Sequence, residues 1–243
     1  MSFLALLSRQ VGACVDLLLP SCCLFCSSTR LLKSCRGELC PECHQTIHEP
    51  VSACRVCAAP LSSFAATSHS CEACLRKPPP FSRVWMVGSY CDPLKDAIHR
   101  LKYRDQLFLS RGLGELLADR LTEQGSPPPF DLVLPVPLHS GRLRQRGYNQ
   151  ALEIARPVCT RTGWPLDGLR LRRLRPTPPQ QGLPLAERDL NLSGAFHCQG
   201  SLAGSRVLLV DDVMTSGATV RECCRVLKQA GACDVAVAIL ARA

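Results

Sequence analysis

Residues Val207–Val220 read VLLVDDVMTSGATV, and the fold follows from this stretch. Four aliphatic side chains in a row, Val207 to Val210, suit a strand buried on both faces of a parallel sheet. Two acids, Asp211 and Asp212, stand at the C-terminal end of that strand. Thr215-Ser216-Gly217-Ala218-Thr219 then opens a helix expected to run to about Ala230. Open α/β sheets bind ligands outside the C-terminal ends of their strands. A helix N-terminus offers free N–H groups, and Gly217 with the hydroxyls of Thr215, Ser216 and Thr219 turns this one into a phosphate cradle. Neighbouring carboxylates suit the two vicinal hydroxyls of a ribose. Together the parts fit a ribose 5-phosphate, whereas an ordinary capped helix start needs no pair of acids after a buried strand.

Upstream, the cysteines form a grid. Of 17 Cys, eight stand in four C-x-x-C pairs: Cys23/Cys26, Cys40/Cys43, Cys54/Cys57 and Cys71/Cys74. Thirteen residues separate Cys26 from Cys40 and thirteen separate Cys57 from Cys71, so a C-x2-C-x13-C-x2-C unit occurs twice, 31 residues apart. Four thiolates from two knuckles close a tetrahedral Zn2+ site with no open position for catalysis, so two structural zincs are expected. Disulfides need an oxidising compartment, which nothing in the sequence indicates. Pairing of consecutive knuckles is expected, with interleaving the alternative. Cys22 stands next to Cys23 as a substitute ligand, and Cys35, His44, His48 and His69 are secondary candidates. Most of the remaining cysteines read as small core residues.

The length of 243 residues suits two modest domains. Residues 1–80 hold most of the cysteines and few periodic apolar runs, so metal is expected to make up for a thin core. Pro78-Pro79-Pro80 is a stiff boundary. Residues 81–243 alternate strand-like with helix-like patterns, which argues for an α/β domain with a mainly parallel sheet flanked by helices. Strands are expected at 84–90, 131–136, 207–210 and 235–240. Helices are expected at 93–103, 110–123 and 149–162, with a turn at 127–130 and mostly loop over 169–194. At the N-terminus, Phe3, Leu4, Leu7, Val11, Val15 and Leu18 follow a helical period. Arg9, Gln10 and Asp16 interrupt that stretch and no basic region precedes it, so neither a signal peptide nor a membrane span fits.

The formal net charge is +9, and residues 136–190 alone hold ten Lys or Arg against four acids. Such a stretch attracts phosphate polymers. Arg142, Arg144 and Arg146 follow a strand end, so they face the ligand edge and suit a pyrophosphate or a nucleic-acid backbone. Lys102 and Arg104 share that reading. Aromatics for base stacking are few, with Tyr103, Tyr148 and Trp164 the candidates.

The segment from Asp211 to Thr219 resembles the PRPP-binding loop of the type I phosphoribosyltransferases. The resemblance implies that Asp211 and Asp212 hold the ribose hydroxyls and that Thr215, Ser216, Gly217, Ala218 and Thr219 wrap the 5-phosphate, with Mg2+ on the pyrophosphate. Residues 172–196, RRLRPTPPQQGLPLAERDLNLSGAF, resemble the mobile catalytic loop of amidophosphoribosyltransferase-type enzymes. Arg175, Thr177, Gln180, Arg188 and Asn191 fall at its matching places, and Arg175 and Gln180 are the catalytic candidates there beside the two acids. Closure of such a loop keeps water from an oxocarbenium-like ribosyl centre.

Over nearly its whole length the chain resembles the ComF proteins of bacterial competence. The knuckles CLFC and CPEC, CRVCAAPL, CEACLRKPPPF, IHRLKYRD, PVPLHSGRLRQRGYNQA, TPPQQGLPLAER and VLLVDDVMTSGAT carry the resemblance. It implies a zinc ribbon followed by a phosphoribosyltransferase-type domain, a cytoplasmic place at or near the inner face of the membrane, and work on incoming single-stranded DNA beside a helicase-type partner. A metabolic phosphoribosyltransferase that passes ribose 5-phosphate from PRPP to a base or amine is the alternative. The loop specifies the ligand class and leaves the reaction open.

Overall fold

The computed structural model describes residues 22–31, 39–49, 51–61, 70–123, 129–176 and 192–243. The N-terminal helix, Cys35, His69, the first half of the 127–130 turn, and Thr177, Gln180, Arg188 and Asn191 were expectations that lie outside these residues. In chain order the elements are α1 (Pro41–His48), α2 (Glu72–Arg76), β1 (Val84–Ser89), α3 (Leu94–Tyr103), α4 (Leu109–Glu123) and β2 (Leu132–Pro135). They continue with α5 (Ser140–Arg146), α6 (Gln150–Thr162), β3 (Leu171–Arg173), β4 (Phe196–Cys198), β5 (Arg206–Met214), α7 (Ala218–Gln229) and β6 (Asp234–Arg242).

Four strands form one parallel sheet in the order β1-β6-β5-β2, and β3 and β4 make a separate antiparallel ribbon. The apolar runs of β5 and β6 alternate between two cores. Leu208, Val210, Ala236, Ala238 and Leu240 face a layer that contains α3, α4 and α6. Val207, Leu209, Val235, Val237 and Ile239 face α7 and the ribbon. Helices on both faces explain why these strands read as continuous apolar runs. On the first face α4 and α6 touch closely: a Cβ on Gly114 would lie 2.2 Å from Pro157 Cγ and 2.5 Å from the Ile154 carbonyl oxygen. Any larger residue there would force the helices apart.

The cysteine-bearing segments pack on this sheet. Cys23, Phe25, Leu39, Cys40, Cys43 and Ile47 belong to the same buried cluster as Trp85, Leu94, Ile98 and Leu113. Two arginines fasten them. Arg100 on α3 donates to the carbonyls of Leu24 (3.1 Å) and Phe25 (3.0 Å), and Arg120 on α4 donates to those of Ile47 (3.3 Å) and Val87 (3.2 Å). Ala58 joins the second core, with Val56 and Cys57 packed against it.

The outer edge of β2 is also covered. Val133 N–H donates to Pro165 O at 2.7 Å, and Asp167 N–H donates to Val133 O at 3.0 Å. The chain after α6 thereby caps an edge that would otherwise offer unpaired backbone groups.

Candidate ribose-phosphate site and cysteine centres

The strand holding the acids is longer than its aliphatic run. β5 continues through Asp211 and Asp212 to Met214, while β2 stops at Pro135 and its neighbour Val136 donates the last bond, to Val210 O at 2.8 Å. Past Val210 the strand pairs only with β6, so its edge is unpaired on the side β2 has left, at the strand ends where open α/β sheets bind ligands. The alternation of side chains sends the two acids to opposite faces. Asp212 turns to the α3 side, where its Oδ1 meets Lys102 Nζ at 2.9 Å in a pair whose side chains are only 5% and 17% exposed. Asp211 turns to the α7 side, toward Cys223 and Arg173.

Both acids are buried, and their surroundings differ. Burial, followed by the charge of Asp212, pushes Asp211 up to about 8, against the Asp212 N–H, Lys102 and Arg173. Burial alone would lower Lys102, but the Asp212 carboxylate outweighs it and holds the ammonium above its usual value. Asp212 Oδ2 is buried and has no hydrogen-bond partner among the described residues. An orphaned carboxylate oxygen at the end of a strand is an acceptor open to a hydroxyl or a cation.

The next segment turns sharply. Gly217 adopts φ +76°, a left-handed conformation that favours glycine, and it is the N-cap of α7. A Cβ there would meet Arg221 Nη1 at 3.2 Å. Ser216 Oγ accepts from Ala218 N–H at 3.4 Å.

Three successive carbonyls of this loop are held by guanidinium groups. Arg242 Nη1 donates to Met214 O at 2.7 Å and also to Thr215 O, and Arg221 Nη1 donates to Ser216 O at 2.9 Å. Across a trans peptide the C=O and the following N–H point opposite ways. Pinning these three carbonyls therefore directs the N–H groups of Thr215, Ser216 and Gly217 away from the arginines, as an anion-binding nest requires. Thr215 is exposed, Ser216 and Thr219 are half-buried, and Gly217 and Ala218 are buried.

The arginine candidates are distributed around this centre. Arg142 and Arg144 are exposed on α5, a short helix. Arg142 acts on the half-buried Arg173 of β3, which in turn acts on Asp211. Arg144 is not brought to the acids by any contact among the described residues. Arg146 donates to Gln150 and lies over the Tyr103 ring at 5.4 Å. Arg175 donates to Ser193 O at the foot of the ribbon, and Glu222 of α7 accepts from Gly194 N–H at 2.8 Å, tying the ribbon to the helix.

Sequence reasoning left Lys102 undecided and missed Arg173, Arg221 and Arg242. The signal for Lys102 was its place in a helix whose apolar side (Leu94, Ile98, Leu101) packs on the sheet. The other three become significant only through contacts between distant segments.

The eight knuckle cysteines gather as two groups, Cys23/Cys26/Cys40/Cys43 and Cys54/Cys57/Cys71/Cys74, with the sulfurs of each group within 4.8 Å of one another. Consecutive knuckles pair and do not interleave. Cys26 and Cys40 sulfurs lie 3.5 Å apart, and those of Cys57 and Cys71 lie 3.6 Å apart. A tetrahedron with Zn–S bonds of about 2.3 Å has edges of about 3.8 Å, so the spacing fits that ion.

The electrostatics fit as well. Burial would raise Cys23, but the N–H groups of Cys26, Cys40 and Phe25 outweigh it and bring it to about 7. Cys54 is brought to about 6 in the same way, by the N–H groups of Cys57, Cys71 and Val56. Cys43 and Cys74 are driven up, by burial and then by their neighbouring sulfurs. Four such thiols ionise together only around a cation. Cys22 is exposed and outside both groups, and His44 and His48 stack on each other at 4.0 Å without joining one. Cys198, Cys223 and Cys224 are buried as small core residues.

Residues 146–243 match the family described as Phosphoribosyl transferase domain. The DNA utilization protein YhgH of Salmonella typhi is 32% identical over 230 residues, covering 93% of this chain and 99% of that protein. Competence protein F of Haemophilus influenzae is 32% identical over 233 residues, 91% of this chain and 96% of that one. Among solved structures, a purine phosphoribosyltransferase from Pyrococcus horikoshii Ot3 aligns over 54% of this chain and 70% of its own, with 19% identity and a TM-score of 0.33.

Proposed function

This chain belongs to the ComF/YhgH family of competence and DNA-utilization proteins, and from that premise we propose that it binds PRPP, or the ribose 5-phosphate part of it, while handling single-stranded DNA. The observation that carries the reading is the pair of buried acids at the C-terminal end of β5, one with an oxygen unpartnered among the described residues, followed by a loop whose carbonyls are pinned back. Asp211 and Asp212 take the ribose hydroxyls, and the N–H groups from Thr215 to Thr219 with their hydroxyls take the 5-phosphate. Mg2+ enters with PRPP and offsets the pyrophosphate charge, with Arg142 and Arg144 of α5 as exposed cations for the same group. Arg175 and Gln180 belong to the segment that shields the ribosyl carbon. The eight cysteines hold two structural zincs in residues 1–80, and residues 81–243 carry the ribose-phosphate pocket.

The DNA part of the reading rests on charge and on one aromatic. Trp164 is taken up by an edge-on contact with Phe130 at 5.0 Å, and Tyr148 donates its hydroxyl to Leu101 O. Tyr103 is 65% exposed and flanked by His99 and Arg146, which suits a stacked base beside a phosphate chain. No helix among the described residues is long and apolar enough to cross a membrane. Action in the cytoplasm, at the inner face of the membrane and beside a helicase-type partner, completes the proposal.

Calorimetric titration with PRPP and Mg2+ tests it, followed by a pyrophosphate-release assay with and without single-stranded DNA. Saturable PRPP binding that disappears in Asp211→Asn/Asp212→Asn, together with salt-sensitive DNA binding, is expected. A wild-type protein that binds no PRPP would refute the reading. Steady pyrophosphate release with a free base or amine would replace it with the metabolic transferase.

A further inference from the structure

We propose that the outer edge of β1 is a strand-addition site for an extended, carboxylate-bearing segment of a partner protein, with Arg120 as the anchor of the carboxylate. The site lies at the opposite edge of the sheet from β2 and does not depend on the ribose-phosphate reading.

The parallel register decides which backbone groups of β1 already have partners. Val237 N–H donates to Arg83 O and Ser82 N–H donates to Val235 O, both at 2.9 Å, and Trp85 is level with Ala238. Along a strand in a parallel ladder, the N–H and C=O of one residue face one neighbour and those of the next residue face the other side. Trp85, Val87 and Ser89 therefore direct theirs to β6, while Val84, Met86 and Gly88 turn theirs outward. None of those outward groups is hydrogen-bonded among the described residues. The other outer strand is treated differently, because Pro165 and Asp167 bond to Val133 of β2. At Gly88 the end of α1 closes in, since a Cβ there would lie 3.4 Å from Ile47 O. Val84 and Met86 instead line a cavity of about 320 Å³, together with Ala53, Cys54 and Arg55. The side chains of Val84, Trp85 and Val87 are buried, so this is a firmly held strand with an open row of donors and acceptors. Such an edge is a template for another extended chain.

The same cavity carries a charge without a counter-charge. Arg120 lines it from α4 and donates through Nη2 to Ile47 O and Val87 O, at 3.3 and 3.2 Å. Both acceptors are neutral, Nε is buried without an acceptor, and no acid among the described residues pairs with this guanidinium. Arg55 is exposed on the same cavity, and Arg83 lies over the Trp85 ring at 4.9 Å. Glu49 is the one acid that lines it. Three guanidinium groups against one carboxylate favour an incoming acidic chain over a neutral or basic one. A small anion would answer Arg120 and leave the strand edge open. A phosphate chain has no N–H row to offer the outward carbonyls of Val84 and Met86. An extended peptide with an Asp or Glu answers both.

Hydrogen exchange on the whole protein, with zinc present, is the first test and needs no variant. The amides of Val84 and Met86 should exchange at least about tenfold faster than those of Trp85 and Val87. Equally slow exchange at all four would mean that the protein's own chain holds this edge, which overturns the proposal. Linear peptides of about eight residues are then selected against the whole protein from a random display library. Selected peptides should place Asp or Glu among β-branched residues and should slow the Val84 and Met86 amides. They should bind Met86→Pro about tenfold more weakly, because this change removes an outward N–H and leaves the β1–β6 bonds in place. Exchanging the peptide's acid for its amide should cost about tenfold on the wild type and nothing on Arg120→Gln. A library without binders, binders that lack an acid, full affinity for Met86→Pro, or equal losses on wild type and Arg120→Gln would each overturn the proposal. Displacement of the peptides by a single-stranded oligonucleotide would give the cavity to nucleic acid and overturn it as well.

Discussion

Replacing Lys102 by Met tests whether the acid pair depends on a cation from α3. Nζ lies 2.9 Å from Asp212 Oδ1, and both side chains are largely hidden from water. At an effective dielectric constant of about 20, that separation corresponds to about 6 kcal/mol of attraction. Several kcal/mol of desolvation offset it, leaving a net coupling of about 2–3 kcal/mol. Lys102→Met alone strands a buried carboxylate and should cost about 4 kcal/mol, which lowers Tm by about 10 °C for a chain of this size. Asp212→Asn alone should cost less, about 2 kcal/mol, because a lysine stem can carry its ammonium outward to water. The double variant should then cost only about 3 kcal/mol, not the sum. Thermal and urea unfolding of the four proteins, with zinc present throughout, gives the cycle. Additivity within about 0.5 kcal/mol, or a Lys102→Met protein as stable as the wild type, would refute the reasoning.

Two further predictions concern the buried acid and the metal centres. Asp211 is raised to about 8 in the folded protein, above the unfolded carboxyl at about 3.9, so the folded state binds its proton more tightly. Stability is therefore unaffected by this group below about pH 4, falls as pH rises toward about 8, and is level beyond; unfolding midpoints measured between about pH 6 and pH 9 should slope downward in the wild type and flatten in Asp211→Asn, and an unchanged slope in the variant would exclude this carboxyl as the source. Cys40→Ser should reduce bound zinc from two equivalents to one by atomic absorption and lower Tm sharply, because Cys40 is buried in the cluster that holds Leu94 and Ile98; full zinc content would remove Cys40 from the ligand set.

The sequence disclosed the parallel sheet and the loop because both depend on local chemistry. A run of aliphatic residues, two acids and a small hydroxylated turn determine their own conformation. The paired knuckles were legible for the same reason, since a repeated spacing brings equivalent sulfurs together. What was not legible depends on distant partners. Leu171–Arg173 is a charged tripeptide among prolines and arginines, and it becomes a strand only because Phe196–Cys198 lies beside it. Ser140–Arg146 has no buried residue and no apolar face, so nothing periodic marks α5 as a helix. The aliphatic run suggested that β5 ends at Val210. It continues because β6 still pairs with it and because Lys102, more than a hundred residues earlier, makes a buried carboxylate tolerable at Asp212.

The sheet order bears on how portable the recognisable part of this protein is. The segment matching the phosphoribosyltransferase family starts at Arg146, yet β5 and β6 are flanked on either side by β2 and β1, which precede it. The ammonium that faces Asp212 also precedes it, on α3. Cut out as a module, residues 146–243 would carry the signature and lack both outer strands, so two rows of backbone donors and acceptors would lie open to any passing chain. What can be recognised here by signature is therefore smaller than what can be inherited, grafted or expressed as a working unit.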